Sequence, residues 1–147
     1  MADLRGKVVA LGFIFTRCAD VCPIATAKML MIQRALGEQF GRDVFFVSVT
    51  VDPGHDTPQV LTRYARALGS DPSGWAFLTG SPEAIKDVAM RYGVFHDQRT
   101  GGNVSHNLLT SLIDRKGILR VQYMGERFDS DELLHDLRDL ATEGTSP

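Results

Sequence analysis

The sequence predicts an α/β fold, a mixed central sheet flanked by helices in the order β-α-β-α-β-α-β-β-α. Three observations predict it. Apolar runs of strand length, Val8–Phe15 and the Val- and Phe-rich Asp43–Asp52, alternate with stretches of helical periodicity. The helical stretches are punctuated by capping residues or prolines at the start and by glycines at the end. Two late strands flank Arg115-Lys116-Gly117, a hairpin signature, so an antiparallel pair joins strands that helical crossovers make parallel.

Each element follows from its residues. Val8–Phe15 is a continuous apolar run, as expected of a strand covered on both faces. Asp20 offers an N-cap and Pro23 falls in the first turn of a helix carrying Ala25, Met29, Ile32, Leu36 and Phe40 at helical spacing, with Gly41 as its stop. After the second strand, Thr57-Pro58 opens a helix with Val60, Leu61, Tyr64 and Leu68 on one face and Gly69 at its end. Trp75–Leu78 is a short strand, and Ser81-Pro82 opens a third helix closed by Gly93. Phe95–Ser105 has no periodicity, contains Gly101-Gly102, and reads as a loop. Leu108–Asp114 and Ile118–Met124 are the hairpin strands, with Gly117 in the left-handed position. Ser130 caps a last helix whose Leu133, Leu134, Leu137 and Leu140 face inward.

Composition narrows the function classes. The 147 residues are 44% hydrophobic and 23% charged, an ordinary globular balance that excludes disordered, collagen-like and disulfide-dense chains. A net charge of −2 leaves no electrostatic footprint for nucleic acid. With no repeat, linker or shift in composition, residues 1–147 are expected to form one domain. Arg5 and Lys7 precede the first apolar run in the manner of an export signal, but Thr16-Arg17-Cys18 follows where small residues should stand. The expectation is therefore a chain that begins almost directly on its first strand, without signal or anchor.

The two cysteines carry most of the chemistry. Cys18-Ala19-Asp20-Val21-Cys22 lies where the first strand gives way to the first helix, and residues four apart share one face of a helical turn. Unpaired backbone N–H groups there, together with Arg17, favour thiolate over thiol. A disulfide across so short a loop would restrict the unfolded chain little, so a purely structural role is weak. Two low-pKa thiols can exchange with disulfides or hold a soft metal. The thioredoxin-type redox motif has two intervening residues, whereas this pair has three. A proline before the strand facing the cysteines is also missing, since none occurs between Pro82 and Pro147. His106 stands near that position, and one imidazole beside two thiolates makes a Cys₂His set suited to Cu(I) and Cu(II).

These residues resemble the Sco/SenC family. Phe15-Thr16-Arg17-Cys18-Ala19-Asp20-Val21-Cys22-Pro23 is similar to its F-T-x-C-x-D-V-C-P signature, and Val49–Pro58 to its V-x-V-D-P-x-x-D-T-P segment. Trp75–Gly80, and His106 followed by Leu112–Gly117, match two further blocks in the right order. The resemblance runs from about Leu4 to Leu140. It implies a thioredoxin-like fold and copper bound by Cys18, Cys22 and His106. It also implies a role in maturing the dicopper site of cytochrome c oxidase subunit II or another copper-site client, as metallochaperone or as thiol-disulfide reductant of the client's cysteines. Family members usually face the periplasm or the mitochondrial intermembrane space on a membrane tether. The anchor and the usual opening hairpin have no counterpart in this sequence. Ala19, Arg17 and the Ser105-His106-Asn107 context also depart from the common pattern without removing a ligand.

Other candidates have plainer readings. Asp52, Asp56 and Thr57 are explained by a turn followed by an N-cap. His55 and His96 fall in expected loops as surface residues, and His135 is expected to face solvent on the last helix. Met29 and Met31 suggest a thioether stripe, but helical spacing with leucines assigns them to core filling. Asn103-Val104-Ser105 is a glycosylation sequon by pattern only.

Overall fold

The computed structural model describes residues 4–16, 21–93, 96–100, 103–106, 109–124 and 128–143, and for 21–24, 96–100, 103–106 and 124 the backbone alone. The elements are β1 (Val8–Ile14), α1 (Val21–Leu36), β2 (Val44–Thr50), α2 (Pro58–Leu68), β3 (Trp75–Leu78), α3 (Pro82–Arg91), β4 (His96–Thr100), β5 (Asn103–His106), β6 (Leu109–Ile113), β7 (Leu119–Met124) and α4 (Ser130–Thr142). Five strands form one sheet in the order β3-β2-β1-β6-β7. β1, β2 and β3 pair parallel, while β6 runs antiparallel to both β1 and β7.

Alternation along β1 and β2 builds two cores, one on each face of the sheet. Val9, Leu11, Phe13, Val47 and Val49 meet Ile85 and Ala89 of α3. Val8, Ala10, Val44 and Phe46 meet Ile32 and Leu36 of α1 together with Leu133, Leu137 and Leu140 of α4. Double coverage explains why the central strands read as unbroken apolar runs. Phe46 anchors the second core, edge-on to both Phe40 and Trp75 at ring separations of 5.1 and 5.2 Å. The Trp75 indole N–H donates to Ser48 Oγ at 3.0 Å, so the buried indole keeps a partner.

Local signals placed most boundaries. Thr57 accepts the Val60 N–H as the N-cap of α2, Pro58 follows, and Gly69 closes the helix at φ +82°. Ser81 caps α3 by accepting the Ala84 N–H, and Gly117 turns β6 into β7 at φ +85°.

Three expectations need correction. The segment read as a loop contains an antiparallel hairpin, β4–β5, forming its own two-stranded sheet. His-Asp-Gln-Arg-Thr and Asn-Val-Ser-His offer only one apolar residue, so no period-2 signal existed to read. The available clue was Gly101-Gly102, a two-residue hairpin signal between Thr100 and Asn103; the glycines themselves lie outside the described residues. The cap of α4 is Asp129 rather than Ser130, its carboxylate accepting the Asp131 and Glu132 N–H groups. α1 ends at Leu36, and a 3-10 turn (Gly37–Gln39) intervenes before Gly41.

Candidate functional site

β1 leaves the sheet at Ile14, and after Phe15 and Thr16 the chain reaches α1 at Val21. Cys18 falls between them, outside the described residues, as does Asp20, the proposed helix cap. Cys22 is the second residue of α1 and so lies in its first turn, where four backbone N–H groups lack intrahelical partners. That location supplies a positive helix end to a thiolate.

What holds this strand exit in place is a buried carboxylate. Asp56 is fully buried. One oxygen accepts the Thr16 N–H at 3.0 Å and the Thr50 hydroxyl at 2.6 Å, and the other accepts the Thr16 hydroxyl. Thr50 Oγ1 in turn accepts the Asp52 N–H at 3.0 Å. The backbone turn from Asp52 to Asp56 is closed by the Asp56 N–H bonding to the Asp52 carbonyl at 2.9 Å. The end of β1, the end of β2 and the approach to α2 are thereby fastened to one another two residues ahead of Cys18. Sequence reasoning assigned Asp56 to a turn before an N-cap; Thr57 is that cap, but Asp56 is the tether. Its role was not visible locally, because Thr16, 40 residues away in the chain, reaches it only once β1 and β2 pair in parallel.

His106 ends β5, three residues before β6 begins at Leu109. Because β6 runs antiparallel to β1, with Thr110 opposite Gly12, the start of β6 lies beside the end of β1. The first residue of β6, three residues after His106, therefore lies at the end of the sheet where β1 stops at Ile14. Within the hairpin the ladder partner of His106 is His96. A cavity of about 40 Å³ lies beneath the first half of α1, lined by Gly12, Ala25, Thr26, Met29, Ser48 and Thr110 among others. A Cβ at Gly12 would meet nothing within 4 Å, so that glycine opens the space.

Cysteine and histidine are soft and borderline donors that suit copper; the backbone places Cys22 at the start of α1 and His106 at the end of β5. The Asp56 carboxylate at the strand exit is engaged by its three donors. His55 is exposed in the turn after β2. His135 is solvent-facing as expected and pairs with Asp139 at 3.1 Å. Among the described residues, His135, Asp136 and Asp139 present ligand atoms within 4.8 Å of one another. Asp136 there accepts the Tyr123 hydroxyl, and burial together with that carboxylate pushes the Tyr123 phenol upward. Met29 packs against the core as expected, but Met31 is 59% exposed and fills nothing.

The SCO1/SenC family profile matches residues 1–142. Among curated relatives, the SCO2-like protein RP587 of Rickettsia prowazekii is 35% identical over 78% of this chain. Protein SCO1 homolog 1, mitochondrial, of Arabidopsis thaliana is 33% identical over 89%. The chain spans 57% and 39% of the lengths of these two relatives. Among solved structures, a SCO1/SenC family lipoprotein from Bacillus anthracis superposes with a TM-score of 0.86 at 34% identity, covering 95% of this chain and 84% of that one. Arabidopsis thaliana ScoI with copper bound gives 0.80 at 32%, covering 94% and 88%. BsSco, described as a member of the Sco family of cytochrome c oxidase assembly proteins with a disulfide switch, gives 0.83 at 29%, covering 97% and 85%. These neighbours share the thioredoxin-like layout of a mixed five-stranded sheet between helices.

Proposed function

This chain belongs to the SCO1/SenC family, and from that premise we propose that it is a copper carrier for the assembly of cytochrome c oxidase. Copper is its cargo, held by the thiolates of Cys18 and Cys22 and by His106. The client is the copper site of oxidase subunit II, or a comparable copper-site protein, reached at the periplasmic face from a membrane-tethered position. Among the described residues no helix is long and apolar enough to cross a membrane, so a tether would lie outside them. The observation that supports the reading is the antiparallel β1–β6 register, in which β6, beginning three residues after His106, starts beside the end of β1, from which the chain goes on to Cys22 in α1. The copper-bound Arabidopsis relative supports the identity of the cargo, and the Bacillus anthracis lipoprotein supports the tether.

The chemistry follows from the donors. Cu(I) accepts low coordination and is satisfied by two thiolates, while the imidazole adds the borderline nitrogen that Cu(II) favours. The cysteines must be reduced and deprotonated to bind, so loading is coupled to their redox state. The test is titration of Cu(I) and Cu(II) into the reduced wild type, Cys22→Ser and His106→Ala. Cys22→Ser should lose both ions, and His106→Ala should lose Cu(II) affinity in particular. Equal affinities in all three proteins would remove these residues from the site.

A second reading has its own support in the disulfide switch of the Bacillus relative. Here Cys18 and Cys22 pass electrons to a client disulfide and copper is incidental. A reducing dithiol potential combined with weak copper binding would favour it.

A further inference from the structure

We propose that the outer edge of β3 accepts an extended segment of a partner protein, one that sets an apolar side chain between acidic residues. The proposal goes beyond the copper reading and does not depend on it. β3 ends the five-stranded sheet, with β2 as its neighbour. The Phe46 N–H donates to the Gly74 carbonyl at 2.7 Å. Backbone groups of successive strand residues point to alternate sides, so Gly74, Ala76 and Leu78 face β2 while Trp75 and Phe77 turn their N–H and C=O groups outward. No hydrogen bond reaches these outward groups from the described residues. Edge strands are ordinarily protected by charges or proline. β7, the opposite edge, carries Arg120 and Gln122, whereas β3 reads Trp-Ala-Phe-Leu and leaves Leu78 46% exposed.

What lies beside the edge selects the occupant. α2 and β3 enclose an open groove of about 270 Å³, with Leu61, Ala65 and Pro72 as apolar walls. Its floor is aromatic: the Trp75 and Phe77 rings stack at 5.3 Å, and Tyr64 stands edge-on to Phe77 at 6.0 Å. An added strand gains main-chain bonds for affinity and a pocket for every second side chain. With only two outward residues on β3, the groove must supply much of the binding. Arg66 lines it and Arg63 lies one turn earlier, on a helix with no acidic residue. Both arginines are exposed, and neither forms an ion pair with a described residue. This strip attracts carboxylates. A second copy docked edge to edge would set two such strips side by side, so the charge selects an acidic partner over self-association.

The probe is the acetylated, amidated peptide Thr-Glu-Thr-Phe-Thr-Glu-Thr, whose Phe and Glu side chains share one face when extended. A version with Lys for Glu is its charge control. Trp75 is the single tryptophan of the chain, so its fluorescence reports the groove. In the reduced, metal-free full chain the Glu peptide should bind with a Kd below about 1 mM, and the Lys version about tenfold more weakly. Joint Arg63→Glu and Arg66→Glu replacement, at two exposed positions, should invert that preference. Methylating the Glu peptide at either the Phe nitrogen or the next Thr nitrogen separates strand addition from side-chain contact. Only alternate N–H groups face β3, so one methylated peptide should lose about tenfold in affinity while the other matches its parent. No binding of the Glu peptide at about 1 mM, equal binding of the Glu and Lys peptides, or equal effects of the two methylations would each overturn the proposal. So would sedimentation as a dimer that the Glu peptide does not displace, because a second copy would then hold the edge. None of these outcomes bears on Cys22 or His106, so the copper reading stands or falls separately.

Discussion

Replacing Asp56 tests how the strand exit ahead of Cys18 is held. The carboxylate is fully buried and accepts three donors: the Thr16 amide, the Thr16 hydroxyl and the Thr50 hydroxyl. Removing it in Asp56→Ala strands all three, and each buried donor left unpaired costs about 1–3 kcal/mol. The sum overstates the loss, because the Thr50 hydroxyl can turn to another acceptor and water can enter the gap. We expect about 3–5 kcal/mol. Asp56→Asn separates charge from shape. An amide oxygen at the position of the carboxylate oxygen shared by Thr16 N–H and Thr50 keeps both bonds. The amide NH₂ can donate to the Thr16 hydroxyl oxygen, so only charge assistance is lost, about 1–2 kcal/mol. With a urea m-value of about 2 kcal/mol/M, the Ala variant should move the unfolding midpoint down by about 1.5–2.5 M and the Asn variant by at most about 1 M. An Ala variant within 1 kcal/mol of wild type, or an Asn variant worse than Ala, would refute the tether.

Two further outcomes follow from other parts of the molecule. Burial pushes the Asp114 carboxyl up, but N–H bonds from Ile118 and Lys116 and the Arg120 guanidinium outweigh it and hold the group below the ordinary carboxylate range. A carboxyl whose folded pKa is depressed contributes stability that is present above its unfolded value, about 3.9, and lost as pH falls through the folded value. Asp114→Asn should therefore cost about 1 kcal/mol at pH 7, discounted because Arg120 faces solvent, and the gap to wild type should narrow in urea titrations below about pH 4. A gap that widens in acid would contradict the sign. Gly12→Ala places a methyl into the open space under α1, where a Cβ meets nothing within 4 Å. It should stabilise the protein by about 0.5–1 kcal/mol through a less flexible unfolded chain, seen as a rise in thermal midpoint.

What could be read from the sequence, and what could not, divides along a physical line. Thr57-Pro58 and Gly69, or Trp75–Leu78, were placed correctly because their signals are local: a cap bonds its own first turn, and a short aromatic strand sits between turn residues. The Cys18–Cys22 spacing is read from the sequence alone, because Cys18 lies outside the described residues. The misassigned α4 cap is a local ambiguity, two cap-competent residues side by side, resolved by which one reaches the Asp131 and Glu132 amides. Asp56 failed differently. Its meaning is set by Thr16, brought to it when β1 and β2 pair. That pairing was anticipated but not the bonds at its end, and the β4–β5 pairing was not anticipated because polar strands carry no periodicity. The chemistry of such a site is thus written in short motifs, whereas its support is distributed among residues that look like ordinary turn or surface positions. A search for such tethers in chains of this kind should therefore begin at the strand ends that flank the residues the motifs name.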